Sequence, residues 1–125
     1  MLLNSLLVAA GALAGVFARI YLTKVVNWWW RGRLPLATAT LNLSGAFVLG
    51  LLSSLNVPAW AMLLAGTGFI GTYTTFSTMT LESFELLRRK RYTVCLLYFF
   101  TTFAGGLAAA LIGLAIGHLI HFSFL

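Results

Sequence analysis

Apolar residues run through this chain in four long blocks, without the alternating stripes of a soluble sheet. The blocks cover residues 2–26, 34–55, 58–87 and 92–122, separated by short links at 27–33, 56–57 and 88–91. A helix rises about 1.5 Å per residue, so about 20 apolar residues cross the hydrocarbon core of a bilayer. Every block reaches that length. The pattern predicts an all-α membrane protein with a single four-helix transmembrane domain over residues 1–125, and the links leave no room for a soluble domain. No basic region precedes the first block and no clear cleavage site follows it. That predicts a retained helix and not a signal peptide.

Composition narrows the class. With 61% hydrophobic and 8% charged residues, a water-soluble domain would lack the polar surface to cover itself. The single cysteine, Cys95, excludes an intrachain disulfide and a cysteine metal cluster. His118 and His121 read as interfacial, because no acid or cysteine accompanies them to complete a metal site. The acids are Glu82 and Glu85. Glu85 is placed for an ordinary helical pair with Arg88 or Arg89.

The basic residues set an orientation. Trp28, Trp29 and Trp30 are flanked by Lys24, Arg31 and Arg33, as in an interfacial aromatic belt. The third link is Arg88-Arg89-Lys90-Arg91. With four spans, the first and third links share a side. The positive-inside rule puts both in the cytoplasm and both termini outside, in a multi-pass protein of the cytoplasmic (inner) membrane. The net charge of +6 then reports orientation and contact with lipid headgroups. Charges flush against membrane helices argue against a nucleic-acid partner. Small residues at Gly11 and Gly15, at Gly113 and Gly117, and at Gly105-Gly106 allow close helix packing and self-association.

Polar groups at membrane depth are expensive and point to function or to helix pairing. Arg19 either snorkels to the interface or puts positive charge at the mouth of an anion path. Asn42 either ties helices together or offers its two N–H donors to an anion. In the third block, Thr74, Thr75, Ser77, Thr78 and Thr80 crowd around Phe76, after Gly66, Gly68 and Gly71. Some of these hydroxyls will bond back to the preceding turn, but their density exceeds that use. Non-helical backbone at this depth is tolerated only inside protein or along a wet cavity, and broken membrane helices are a recurring way to hold ions. The stretch therefore predicts a break in the third helix and an ion site at the midplane. A phenyl ring has a positive edge, which Phe76 can turn toward a small anion. Glu82 lies deep enough to hold a vestibule, and Tyr98 and Thr102 lie four apart on one face of the fourth block.

These residues resemble the Fluc family of fluoride channels, also called CrcB. The matching pieces are Gly11-Ala12-Leu13-Ala14-Gly15-Val16-Phe17-Ala18-Arg19, Pro35-Leu36-Ala37-Thr38 leading to Asn42-Leu43-Ser44-Gly45, and above all Gly71-Thr72-Tyr73-Thr74-Thr75-Phe76-Ser77-Thr78 followed by Glu82. The resemblance implies a passive fluoride-selective channel built as an antiparallel, dual-topology dimer with two pores. It also implies a structural sodium ion at the dimer centre, held by the backbone carbonyls of Gly71 and Thr74 from each subunit. Asn42 would be the donor and Phe76 the ring edge of a fluoride pathway that also involves Ser77, Thr78, Met79, Tyr98 and Thr102. Glu82 would extend the polar track, and Arg19 would sit in a vestibule.

The chain departs from the family pattern at Met79, where a second phenylalanine is common, and at Gly106 and Ala110, where the hydroxyl face of the last helix ends. The basic bias also suits one orientation, so the partner is either a second copy or a related subunit of opposite bias. The rival reading is a small multidrug exporter, also a four-helix dual-topology dimer. Such exporters need a carboxylate in the first helix, and no acid precedes Glu82. An accessory subunit would leave the hydroxyl-rich stretch unexplained, and no nucleophile–base pair supports an enzyme.

Overall fold

A computed structural model describes residues 1–125. It is helical throughout, with no strand. Helix α1 is Leu2–Trp29 and α2 is Leu36–Ser54. The third block divides into α3, made of Ala59–Ala61, a π-helical stretch Met62–Ile70 and Gly71–Tyr73, and then α4, Phe76–Arg88. Helix α5 is Tyr92–Ser123. By length and apolar composition, α1, α2 and α5 are long enough to cross a membrane.

The boundaries follow from local chemistry. Helix α1 runs three residues past the first expected block, because Asn27, Trp28 and Trp29 include no glycine or proline to stop it. It ends at Trp30, whose ψ of 118° is extended. Pro35 precedes α2 with φ −70°, a value the pyrrolidine ring fixes and a helix start accepts. Asn56 at φ 51° and Lys90 at φ 57° form the tight turns after α2 and after α4. Within the third block the helix stops at Tyr73. Thr74 (φ −78°, ψ 160°) and Thr75 (φ −153°, ψ 118°) are extended, and helix resumes at Phe76.

Two helix pairs build the bundle, and glycine sets the spacing in both. Helix α1 packs on the π-helical stretch of α3, where a methyl on Gly11 would strike the Leu64 carbonyl and one on Gly15 would strike the Phe69 carbonyl. Helix α2 packs along α5, where a methyl on Gly50 would strike the Ala110 carbonyl and one on Gly113 the Phe47 carbonyl. Backbone therefore approaches backbone, the close packing that small residues permit between membrane helices. Gly106 differs, with nothing near its Cα to meet a side chain.

Little of the chain is interior. Only 21 of 125 residues are buried, while Leu13, Phe17, Leu81, Phe84, Leu96 and Phe100 are all exposed. An apolar exterior on this scale belongs in lipid or against other protein. One small apolar cluster lies between α2, α4 and α5, formed by Ala39, Met79, Leu86, Cys95 and Tyr98, with Leu34 packed against it.

The packing gives a direct test. Gly113→Ala should destabilise the protein by about 1–3 kcal/mol, the usual cost of overpacking. Gly106→Ala, into open space, should stay within about 0.5 kcal/mol of the parent. Unfolding in detergent micelles measures both.

Candidate functional site

The site is built around the non-helical residues Thr74 and Thr75. Asn42 on α2 faces them. Its Nδ2 donates to the Thr75 carbonyl (3.0 Å), and the Thr75 N–H donates to its Oδ1 (2.8 Å). One side-chain amide thus satisfies both backbone groups of Thr75. In a continuous helix that Thr75 N–H would bond to the Gly71 carbonyl four residues earlier. The Thr78 N–H, which would bond to the Thr74 carbonyl, donates instead to Thr75 Oγ1 (3.2 Å), the N-cap of α4. The carbonyls of Gly71 and Thr74 both lose their usual helical donors.

The crowd of hydroxyls divides by use. Thr74 and Thr80 bond back to the carbonyls of Ile70 (2.9 Å) and Phe76 (3.0 Å). Thr72 donates to the Ala12 carbonyl of α1 at 3.0 Å. Thr75 and Thr78 belong to a chain of polar contacts. Arg19 Nη2 donates to Thr78 Oγ1 (2.8 Å), which also accepts from Thr75 Oγ1 (3.1 Å). Ser77 Oγ lies 3.4 Å from Thr75 Oγ1.

Glu82 is held by hydroxyls. Thr38 Oγ1 donates to its Oε1 (3.0 Å) and the Tyr98 hydroxyl to its Oε2 (2.6 Å). Tyr98 is fully buried. Arg19 lies near without pairing with Glu82. The one salt bridge joins Arg89 to Glu85 at 2.8 Å, one of the two pairings open to Glu85.

Two cavities flank the Asn42–Thr75 pair. The first, of about 380 Å³, has Arg19, Lys24, Thr38, Thr78 and Glu82 among its lining residues. The second, also about 380 Å³, is lined by Asn42, Phe76, Met79, Thr102, Gly106 and apolar neighbours, with no charged side chain. Thr75 alone lines both. In the uncharged cavity the Thr102 hydroxyl is buried without a hydrogen-bond partner. Phe76 is 70% exposed, and Met79, packed in the apolar cluster, is 3% exposed. Phe76 and Met79 therefore differ in surroundings as well as in chemistry.

The fold brings Arg19, Thr78 and Glu82 into one cavity and Asn42, Phe76, Met79 and Thr102 into the other. Tyr98 reaches the group through Glu82. Gly71 and Ser77 are exposed on the outer surface beside it. Sequence reasoning gave no role to Thr75 or Thr38. The signal for Thr38 is its spacing: Thr38 and Asn42 are four apart on one face of α2, and Gly45 continues that face against Thr74. The signal for Thr75 is its place three residues before Thr78, the spacing of an N-cap.

An all-helical membrane protein with one charged and one uncharged cavity on either side of a non-helical backbone segment has the form of an ion-conducting or transport protein. The chain belongs to the CrcB family: residues 6–114 match the family described as CrcB-like protein, Camphor Resistance (CrcB). It is 43% identical over 118 residues to fluoride-specific ion channel FluC 1 of Listeria monocytogenes serotype 4b, covering 94% of this chain and 99% of that one. It is 38% identical over 116 residues to FluC 2 of Bacillus thuringiensis subsp. konkukian, covering 93% and 98%. Identity to FluC 2 of Lactobacillus johnsonii is 37% over 110 residues, covering 88% and 92%.

Asn42→Leu strands the N–H and the carbonyl of Thr75 together, at about 1–3 kcal/mol for each unsatisfied group. The variant should be clearly less stable in detergent, whereas Ser53→Ala, which removes only a bond to the Leu49 carbonyl on its own helix, should stay close to the parent. Equal stability of Asn42→Leu and the parent would show that the amide does not hold the non-helical segment.

Proposed function

We propose that this chain forms a passive, fluoride-selective pore in the cytoplasmic membrane. The observation that carries the reading is the uncharged cavity, in which donors with spare capacity face apolar walls. Asn42 Nδ2 has a second hydrogen beyond the one given to Thr75. The Thr102 hydroxyl has no partner, and Phe76 adds a ring edge. Fluoride is small and strongly hydrated, so a path for it must replace water with such donors while binding weakly enough to release the ion. The relatives named as fluoride-specific channels support the same choice of ion.

In this reading the cavity holding Arg19 and Lys24 collects anions on the basic side, where two cations outweigh Glu82. The ion then passes Thr78, Ser77 and Thr75 to Asn42 and Phe76. Tyr98 and Thr102, with Met79 between the helices, guide it along α5. Glu82, occupied by two hydroxyl donors, orients Tyr98 and Thr38.

The partner in this proposal is a second, antiparallel subunit, and Phe76, Ser77 and Gly71 lie on the exposed surface that would face it. The carbonyls of Gly71 and Thr74 suit a structural sodium ion at the centre of such a dimer. Both have lost their helical donors, and Gly71 has open space above its Cα. Hard cations take oxygen ligands; a sodium ion there would supply fixed positive charge and join the two non-helical segments.

Liposomes loaded with fluoride or chloride, holding this chain alone or with a related subunit of opposite bias, test the function. Fluoride should leave and chloride should stay. Phe76→Ile keeps apolar bulk but removes the ring edge, and should slow efflux roughly tenfold or more, about 1.4 kcal/mol in barrier. Met79→Phe should conduct, and Met79→Ala should lose less than Phe76→Ile. Comparable chloride efflux, or proton-coupled drug exchange, would sink the proposal.

The charge bias leads to a second test. The seven basic residues Lys24, Arg31, Arg33, Arg88, Arg89, Lys90 and Arg91 lie in or beside the first and third links, so one orientation is strongly preferred. A cysteine added at the C-terminus of a Cys95→Ala variant should label from the outside only, and flux should require a subunit of opposite bias. Labelling from both sides, with flux from the chain alone, would establish a homodimer.

A further inference from the structure

We infer that the turn between α1 and α2 is a built site for the phosphate of an anionic phospholipid headgroup, gripped by Arg31 and Arg33. The inference rests on residence in a membrane and is independent of what the pore conducts.

The turn is closed at both ends. Trp30 Nε1 donates to the Leu34 carbonyl at 2.8 Å. Gly32 lies under the Trp30 indole so closely that a methyl there would strike the ring. Leu34 packs on the apolar cluster that includes Leu86 and Cys95, and Pro35 follows with its fixed φ. The stapled turn is thereby held beside the end of α4.

Arg31 and Arg33 stand on either side of Gly32, and both are exposed. Neither has a carboxylate partner, since the one salt bridge is Arg89–Glu85. Next to the turn, Arg88, Lys90 and Arg91 are also without an acid. Guanidinium groups match phosphate oxygens with paired N–H donors. Two of them on a rigid turn lose less freedom on binding than two on a loose link.

The depth of the site selects a lipid over a soluble anion. Trp28 is 80% exposed and Trp29 57% exposed on the last turn of α1, and exposed indoles at a helix end sit at headgroup level. A zwitterionic choline headgroup would bring a cation into a cluster of cations. The chemistry therefore favours a phosphodiester without a compensating positive charge, such as phosphatidylglycerol.

The generic alternative is a diffuse field in which only net charge counts, and charge-conserving variants separate the two. Native mass spectrometry of the full chain in detergent, titrated with phosphatidylglycerol or phosphatidylcholine, reads bound lipid directly. Phosphatidylglycerol should bind in preference, and Arg31→Gln with Arg33→Gln should weaken it roughly tenfold, the loss of a charge-assisted contact. Gly32→Ala and Trp30→Phe keep every charge but open the staple, and each should weaken binding roughly fivefold. Should Gly32→Ala fail to fold, Trp30→Phe, which retains an aromatic ring, carries the test. Equal binding of the two lipids would overturn the site, as would parent-like binding by the charge-conserving variants. Displacement of the lipid by millimolar inorganic phosphate would also overturn it, by assigning the turn to a free anion.

Discussion

The reciprocal pair between Asn42 and Thr75 is the interaction on which the middle of this molecule depends. A helix interrupted between Tyr73 and Phe76 leaves backbone donors and acceptors that need other partners. The Asn42 side chain takes one of each from the same residue. Thr75 in turn caps the helix that follows, so two side chains let the chain leave one helix and start another. The same exchange diverts the donors that Gly71 and Thr74 would otherwise meet. Stabilising the segment and exposing its carbonyls are thus one event, with α2 as its support. Asn42 also lines the uncharged cavity, so the support for the backbone and the wall of the proposed path share a residue.

The two cavities differ as their positions require. The one reached by Arg19 and Lys24 is polar and charged, and its acid is held by hydrogen bonds from Thr38 and Tyr98 and not by a guanidinium. Arg19 is left with a hydroxyl for a partner and keeps other donors free, as the proposed anion path would require. Past Thr75 the lining loses all charge. In the proposed path an anion would meet its strongest attraction at the charged end and weaker neutral donors further in, a gradient that favours passage over trapping.

Much of this was legible in the sequence because it depends on local composition. The four apolar blocks, the close approach at Gly11, Gly15, Gly113 and Gly117, and the polarity of the third block follow from residue type and spacing. Partner choices were less legible. That Arg19 meets Thr78 and not Glu82, and that Asn42 takes both groups of Thr75, depends on how α1 and α2 rest against residues more than thirty positions away. The π-helical stretch Met62–Ile70 left no mark either, since an apolar run reads alike for either helical pitch. The end of α1 was illegible for a simpler reason: the tryptophans of an interfacial belt can occupy a helix as easily as a link.

The contact between α1 and that π-helical stretch also bears on how this protein can change over generations. At Gly11 and Gly68 the neighbouring surface is main chain, the carbonyls of Leu64 and Val8, and at Gly15 it is the Phe69 carbonyl together with the Thr72 hydroxyl. Main-chain atoms are the same whatever side chain they carry. Residues 62–65 can therefore drift among apolar types with little effect on the fit, while the three glycines have almost no acceptable replacement. Sequence variation should be tolerated at positions 62–65 and frozen at the glycines of both partners, although all of them build the same interface.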